Sequence, residues 1–120
     1  MKALAMALLL MSAATAIDFS GNWSGSFKVE GGDHHGVPQL LILKQQGHTL
    51  AGSGGPDAGE QYPIENGKIN GDAVQFELTT GEWKFTYRLR SVEADSLTGT
   101  ITLESPDDRR TARVSLTRMK

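Results

Sequence analysis

Alternation with a period of two residues is the feature that most restricts this chain. From residue 19 to residue 30, Phe19, Gly21, Trp23, Gly25, Phe27 and Val29 alternate with Ser20, Asn22, Ser24, Ser26, Lys28 and Glu30. Successive side chains of a β-strand point to opposite faces, so this segment has one apolar or small face and one polar face. It reads as a half-buried strand. Val74-Phe76-Leu78, Trp83-Phe85-Tyr87-Leu89, Leu97-Gly99-Ile101-Leu103 and Ala112-Val114-Leu116 repeat the pattern. Turn-forming residues separate the runs: Gly31-Gly32, Gln46-Gly47, Gly54-Gly55-Pro56, Asn70-Gly71-Asp72, Thr80-Gly81 and Ser105-Pro106-Asp107-Asp108. No window after residue 16 carries the i, i+3, i+4, i+7 stripe of an amphipathic helix.

Strands are therefore predicted over 19–30, 38–46, 48–54, 60–69, 73–79, 82–92, 97–104 and 111–118. Short strands at even spacing form an up-and-down meander, and closure removes the edges that an open sheet would expose. The predicted fold is all-β, an eight-stranded antiparallel up-and-down β-barrel. A two-residue Gln46-Gly47 turn would pair Leu43 with Leu50 and Leu41 with Gly52, keeping apolar residues on one face. The fourth strand keeps Ile64, Ile69 and Val74 on one side only with a bulge near Gly67.

Ahead of the strands, Lys2 precedes an uncharged apolar run from Ala3 to Met11, and small residues follow up to Ala14-Thr15-Ala16. That order predicts a secretory signal peptide cleaved after Ala16. The run is short of the ~20 residues that a membrane-spanning helix needs, so membrane insertion is not expected. The expected division is a signal peptide over 1–16 and a single β-barrel domain over 17–120, secreted or periplasmic. The chain has no cysteine. An exported domain would then be held by its apolar core without disulfides, and thiolate metal sites and cysteine nucleophiles are excluded. The net charge of −2 does not suggest a nucleic-acid partner.

Gly21-Asn22-Trp23, Leu97-Thr98-Gly99-Thr100 and Leu116-Thr117-Arg118 resemble the calycin superfamily, which includes lipocalins, fatty-acid-binding proteins and avidins; short exported bacterial proteins of this pattern are closer still. The residues agree with that likeness. Arg118 shares the parity of Ala112, Val114 and Leu116, and so points inward beside Trp23. A guanidinium over an indole there is worth about 0.5–2 kcal/mol and would plug the barrel base. In calycins such a pair is structural. An avidin-like biotin site is not expected, because the positions that would grip the ureido group hold Gly25, Phe27 and Val29. Bacterial metalloprotease inhibitors of the same barrel class use an N-terminal arm and a disulfide. Here only Ile17-Asp18 precede the first predicted strand.

The meander sorts its connections between two ends, and the three longer ones, Glu30–Val37, Ser53–Gly59 and Ser105–Arg110, crowd the end opposite Trp23 and Arg118. That end is the expected mouth. Glycines 25, 52 and 99 either thin the lining and leave a void, or relieve strain where strands coil. If a cavity exists, Tyr62, Trp83 and Tyr87 are the expected ligand contacts, each joining a wide apolar face to one polar handle. Asp33-His34-His35 has metal-ligand chemistry, but adjacent histidines in a glycine-rich loop seldom converge on one ion, and no metal or other cofactor is expected. The motifs of nucleophile elbows, zinc proteases and P-loops are missing from the sequence, and the predicted interior offers no carboxylate or histidine to tune. The expected function is a non-catalytic binding module for a small apolar or aromatic molecule. The alternative is a structural or protein-interaction domain with a filled core, acting through its mouth loops or through Leu40 and Ile42 on the outer face of the second strand, against a partner protein or a second copy.

Overall fold

The computed structural model describes residues 17–32 and 36–119. Residues 1–16, where a signal peptide is expected, and Asp33-His34-His35 lie outside them. Nine strands follow one another: β1 (Gly21–Val29), β2 (Val37–Gln46), β3 (Thr49–Asp57), β4 (Glu60–Pro63), β5 (Glu65–Asn70), β6 (Ala73–Thr80), β7 (Trp83–Glu93), β8 (Ser96–Ser105) and β9 (Asp108–Arg118). Each pairs antiparallel with its neighbours, and the β1–β9 pairing closes the ring. β4 and β5 occupy one place in that ring, so the architecture is the expected all-β, eight-stranded, up-and-down barrel. No helix is present among the described residues.

Parity decides what lies inside. Most of the residues expected inside are in the buried core, among them Phe19, Trp23, Leu41, Phe76, Tyr87 and Ile101. Ile64, Trp83 and Phe85 pack against it from its edge. Burying one such large apolar side chain contributes about 1.5–3 kcal/mol, and the ring holds this core with no cysteine in the sequence.

Three local features differ from expectation. The β2–β3 register pairs Leu43 with Gly52 and Gln45 with Leu50, leaving Gly47-His48 as the turn. Gly47 has φ of +64°, and a glycine at the first central position is what a type II′ hairpin turn demands. The same logic places Gly71 and Gly81, with φ of +63° and +57°, first in the β5–β6 and β6–β7 turns. The first strand begins at Gly21 rather than residue 19: Gly21 has φ of +135°, and the preceding segment turns across the base, burying Phe19. Two of the connections expected to be long are tight. β3 reaches Asp57 before turning through Ala58-Gly59, and β8 reaches Ser105 before turning through Pro106-Asp107.

Gly25, Gly52 and Gly99 serve strand approach. A methyl group added at each would land on a carbonyl oxygen of the adjoining strand, that of Ser115, Ile42 or Arg88. These glycines let neighbouring strands coil tightly where a side chain would push them apart.

Candidate functional site at the barrel mouth

The barrel has one closed end and one recessed end. At the base, the Arg118 guanidinium lies 4.3 Å from the centre of the Trp23 ring. It also donates to the carbonyls of Ser20 (2.6 Å), Asp18 (3.0 Å) and Ala94 (3.2 Å), and its Nε reaches the Asp95 carboxylate at 2.8 Å. The Trp23 indole donates to the Phe19 carbonyl at 3.0 Å, fixing the segment that covers this end. One guanidinium thus ties together the entry segment, β1, the β7–β8 turn and β9.

The mouth differs because the wall is incompletely laced there. β4 pairs only with β3, whereas β6 pairs with β5 and β7. The reason lies in residues 64–68. Asn66 takes φ of +54°, and the β5–β6 register slips between Glu65 and Lys68, next to Gly67 as the parity of Ile64 and Ile69 requires. The strand cannot run straight through this kink, so its upper half leans toward β3. Gln61 holds it there, donating to the carbonyls of Leu40 (3.1 Å) and Asp57 (2.9 Å) and accepting from the Ser53 hydroxyl (2.7 Å).

A recess of about 160 Å³ opens at this seam. Phe27, Val37, Tyr62, Leu78, Phe85 and Tyr87 supply its apolar lining, with Gln39, Thr80 and Glu60 as its polar members. Tyr87 stacks on Phe76, with ring centres 4.6 Å apart and planes 15° apart, and its hydroxyl donates to Gln39 Oε1. Gln39 in turn donates to the Pro38 carbonyl at 3.1 Å. Burial disfavours the phenolate and pushes the Tyr87 ionisation well above the ordinary tyrosine range. On the exposed rim, Tyr62 donates to Glu60 at 2.6 Å, a bond to the neutral phenol that raises the Tyr62 pKa as well. Among the described residues no buried side-chain nitrogen or oxygen lacks a hydrogen-bond partner. The recess therefore offers contact area and little polar attraction.

Of the three aromatic candidates read from the sequence, Tyr62 and Tyr87 line the recess together. Trp83 packs against the core at the rim but is not among the lining residues; Phe85, two positions on, takes that place. Gln39 was not singled out in the sequence. Its parity with Leu41 and Leu43 is the signal that marks it as inward-facing. Leu40 is half-buried and Ile42 is 38% exposed on the outer face of β2. No group of three potential metal-ligating residues forms among the described residues. No protein-family model matches the chain. Neither the curated proteins nor the solved structures contain a match to it.

Proposed function

We propose that the protein is an exported, non-catalytic binding module that takes one small apolar or aromatic group into the recess at its mouth. The observation that carries this is the recess itself: apolar walls, about 160 Å³, and polar groups of which Tyr87 and Gln39, and Tyr62 and Glu60, are already engaged with one another. An apolar cavity of about 150 Å³ accommodates benzene, whereas sites for drug-sized ligands begin near 300 Å³. The occupant is thus a single ring or a short alkyl group, smaller than a lipid. Kinship with the calycins belongs to the same proposal, supported by the up-and-down closure and by Arg118 over Trp23. Export rests on residues 1–16 of the sequence, and an Ile17 N-terminus on the protein recovered outside the cytoplasm would test it.

The binding test is an NMR titration of the folded protein with p-cresol and with indole. Shifts should concentrate at Phe27, Leu78 and Phe85, with Kd of about 1 mM for so few ligand atoms. Val37→Trp, at a rim position 39% exposed, should fill the recess and remove the response. Trp83→Ala should preserve it. Binding that survives Val37→Trp but is lost in Trp83→Ala would place the ligand elsewhere and reject this site. A second reading, contact with a partner protein or a second copy through Leu40 and Ile42, is favoured by the exposure of Ile42 at 38%. Ile42→Lys should then increase the elution volume, and an unchanged volume would reject self-association through that face.

A further inference from the structure

We infer that the outer wall of the barrel carries a binding band for an anionic polysaccharide. Strand register sets Lys28, Arg113, Thr100, Arg88, Gln75 and Lys68 opposite one another across β1, β9, β8, β7, β6 and β5. All six are exposed. The next row toward the base runs Ser26, Ser115, Thr98, Arg90, Ala73 and Asn70 across the same strands. These two rows hold five cations and no carboxylate, although acidic side chains outnumber basic ones, 14 to 12, in the whole sequence. Asp72, Glu82, Asp95 and Asp107 lie in hairpin turns, while Glu77, on β6 one row nearer the mouth, pairs with Lys84 at 3.3 Å and feels the charge of Lys68. The barrel thus has a cationic waist, bordered on the mouth side by Glu30 and Glu77.

The band is also grooved. A recess of about 480 Å³ lies among Lys68, Gln75, Arg88, Arg90 and Thr98. A second, of about 360 Å³, lies among Glu30, Thr98, Thr100, Arg113 and Ser115, with Glu30 the one carboxylate in either lining. Both share Thr98 and Gly99, so they adjoin along the wall. Lys68, Arg88 and Arg90 line the first groove and Arg113 the second, with hydroxyls from Thr98, Thr100 and Ser115. Lys68, Arg88 and Arg113 stand on alternate strands, and strands lie about 4.8 Å apart, so their backbone positions recur every ~10 Å. The existing partners of these cations are weak competitors. Arg113 meets Glu30 at 3.3 Å with both side chains more than half exposed, and Arg90 meets Asp72 at 3.7 Å in similar exposure. Ion pairs of that kind contribute little, so an incoming anion displaces them at small cost. Arg88 makes no ion pair among the described residues.

Shape and chemistry select the partner. Six strands of an eight-stranded ring turn most of the way around the barrel, so a flat lipid surface could meet only part of the band, whereas a flexible polymer can follow it. The two rows contain no aromatic side chain. Proteins that grip single-stranded nucleic acids stack the bases on aromatic side chains, and here the bases would have nothing to stack on. Threonine and serine hydroxyls with the amides of Gln75 and Asn70 instead suit the hydroxyls and carboxylates of an acidic sugar chain.

The test is fluorescence anisotropy with a labelled polygalacturonate oligomer at about 20 mM and about 200 mM salt, where charge-driven binding must weaken as salt rises. Arg88→Glu/Arg113→Glu should weaken binding about tenfold or more and flatten the salt dependence. Arg109→Glu/Arg110→Glu, an equal charge change on the β8–β9 hairpin outside the two rows, should leave it within about twofold. All four positions are exposed, and melting curves confirm that each variant is folded. Equal losses from both pairs would overturn the assignment, as would absence of binding at the lower salt or tighter binding to poly(dT) of matched length.

Discussion

Replacing Arg118 with alanine should lower the stability of the barrel by about 3 kcal/mol, and the sum follows from what the guanidinium touches. Its contact with Trp23 at 4.3 Å, partly open to solvent, is worth about 1 kcal/mol. The bonds to the Ser20 and Asp18 carbonyls, at 2.6 and 3.0 Å, contribute about 1 kcal/mol each, discounted from the buried value because the side chain is 24% exposed. The Asp95 pair adds little, since Asp95 is itself 51% exposed. For a domain of about 100 residues, 3 kcal/mol corresponds to a fall in Tm of about 12 °C. Arg118→Lys keeps a cation over the indole but cannot span the carbonyls of Ser20, Asp18 and Ala94, so about half the loss should remain. Calorimetric melts of the three proteins, with a Trp23→Phe/Arg118→Ala cycle showing about 1 kcal/mol of coupling, make the check. A Tm within about 3 °C of wild type for Arg118→Ala would refute the view that this one side chain ties the base together.

Other perturbations probe other parts of the ring. Because the folded Tyr87 keeps its proton where an unfolded tyrosine loses it, stability should hold below about pH 10 and fall as the pH rises past that value. In absorbance and circular dichroism followed together, Tyr87 phenolate should appear only with unfolding, and Tyr87→Phe should blunt the alkaline loss. Phenolate from both tyrosines in a folded barrel would contradict the burial of Tyr87. Gly99→Ala forces a methyl onto the Arg88 carbonyl and should cost at least about 3 kcal/mol in denaturant melts. Gly71→Ala, with open space but φ of +63°, should cost only about 1 kcal/mol. Asn66→Ala, at φ of +54° and losing the 2.9 Å bond to Glu77, should cost about 1 kcal/mol, while Asn66→Gly should stay within about 0.5 kcal/mol of wild type.

The barrel was legible because each strand advertises its inner face every second residue, and an even number of predicted strands lets the last lie antiparallel beside the first. Register was less so. Pairing Leu43 with Leu50 or with Gly52 leaves the same residues inside, so parity cannot separate the two. The preference for glycine at the first turn position decides it. Trp83 and Phe85 have the same parity, and only the geometry of the rim shows which of them reaches the recess. Gln39 escaped notice because its polarity drew attention away from its inward position beside Leu41. The cationic waist is hidden more deeply. Lys28, Lys68, Arg88 and Arg113 are scattered along a chain whose net charge is negative, and only the register of five strand pairs assembles them.

The pairing of β1 with β9 has a kinetic meaning for any process that delivers the chain from its N-terminus. Every other neighbour along the wall is reached through a hairpin or within a few dozen residues, but Trp23 meets its partner Arg118 only when almost the whole sequence has emerged. Until then β1 and β8 each present an unpaired edge, the template on which chains aggregate. The last strand satisfies both edges at once. Folding should therefore wait on one late event of high sequence separation. A chain stopped before β9 would be a sheet with two sticky borders, a natural target for a holding chaperone or a protease.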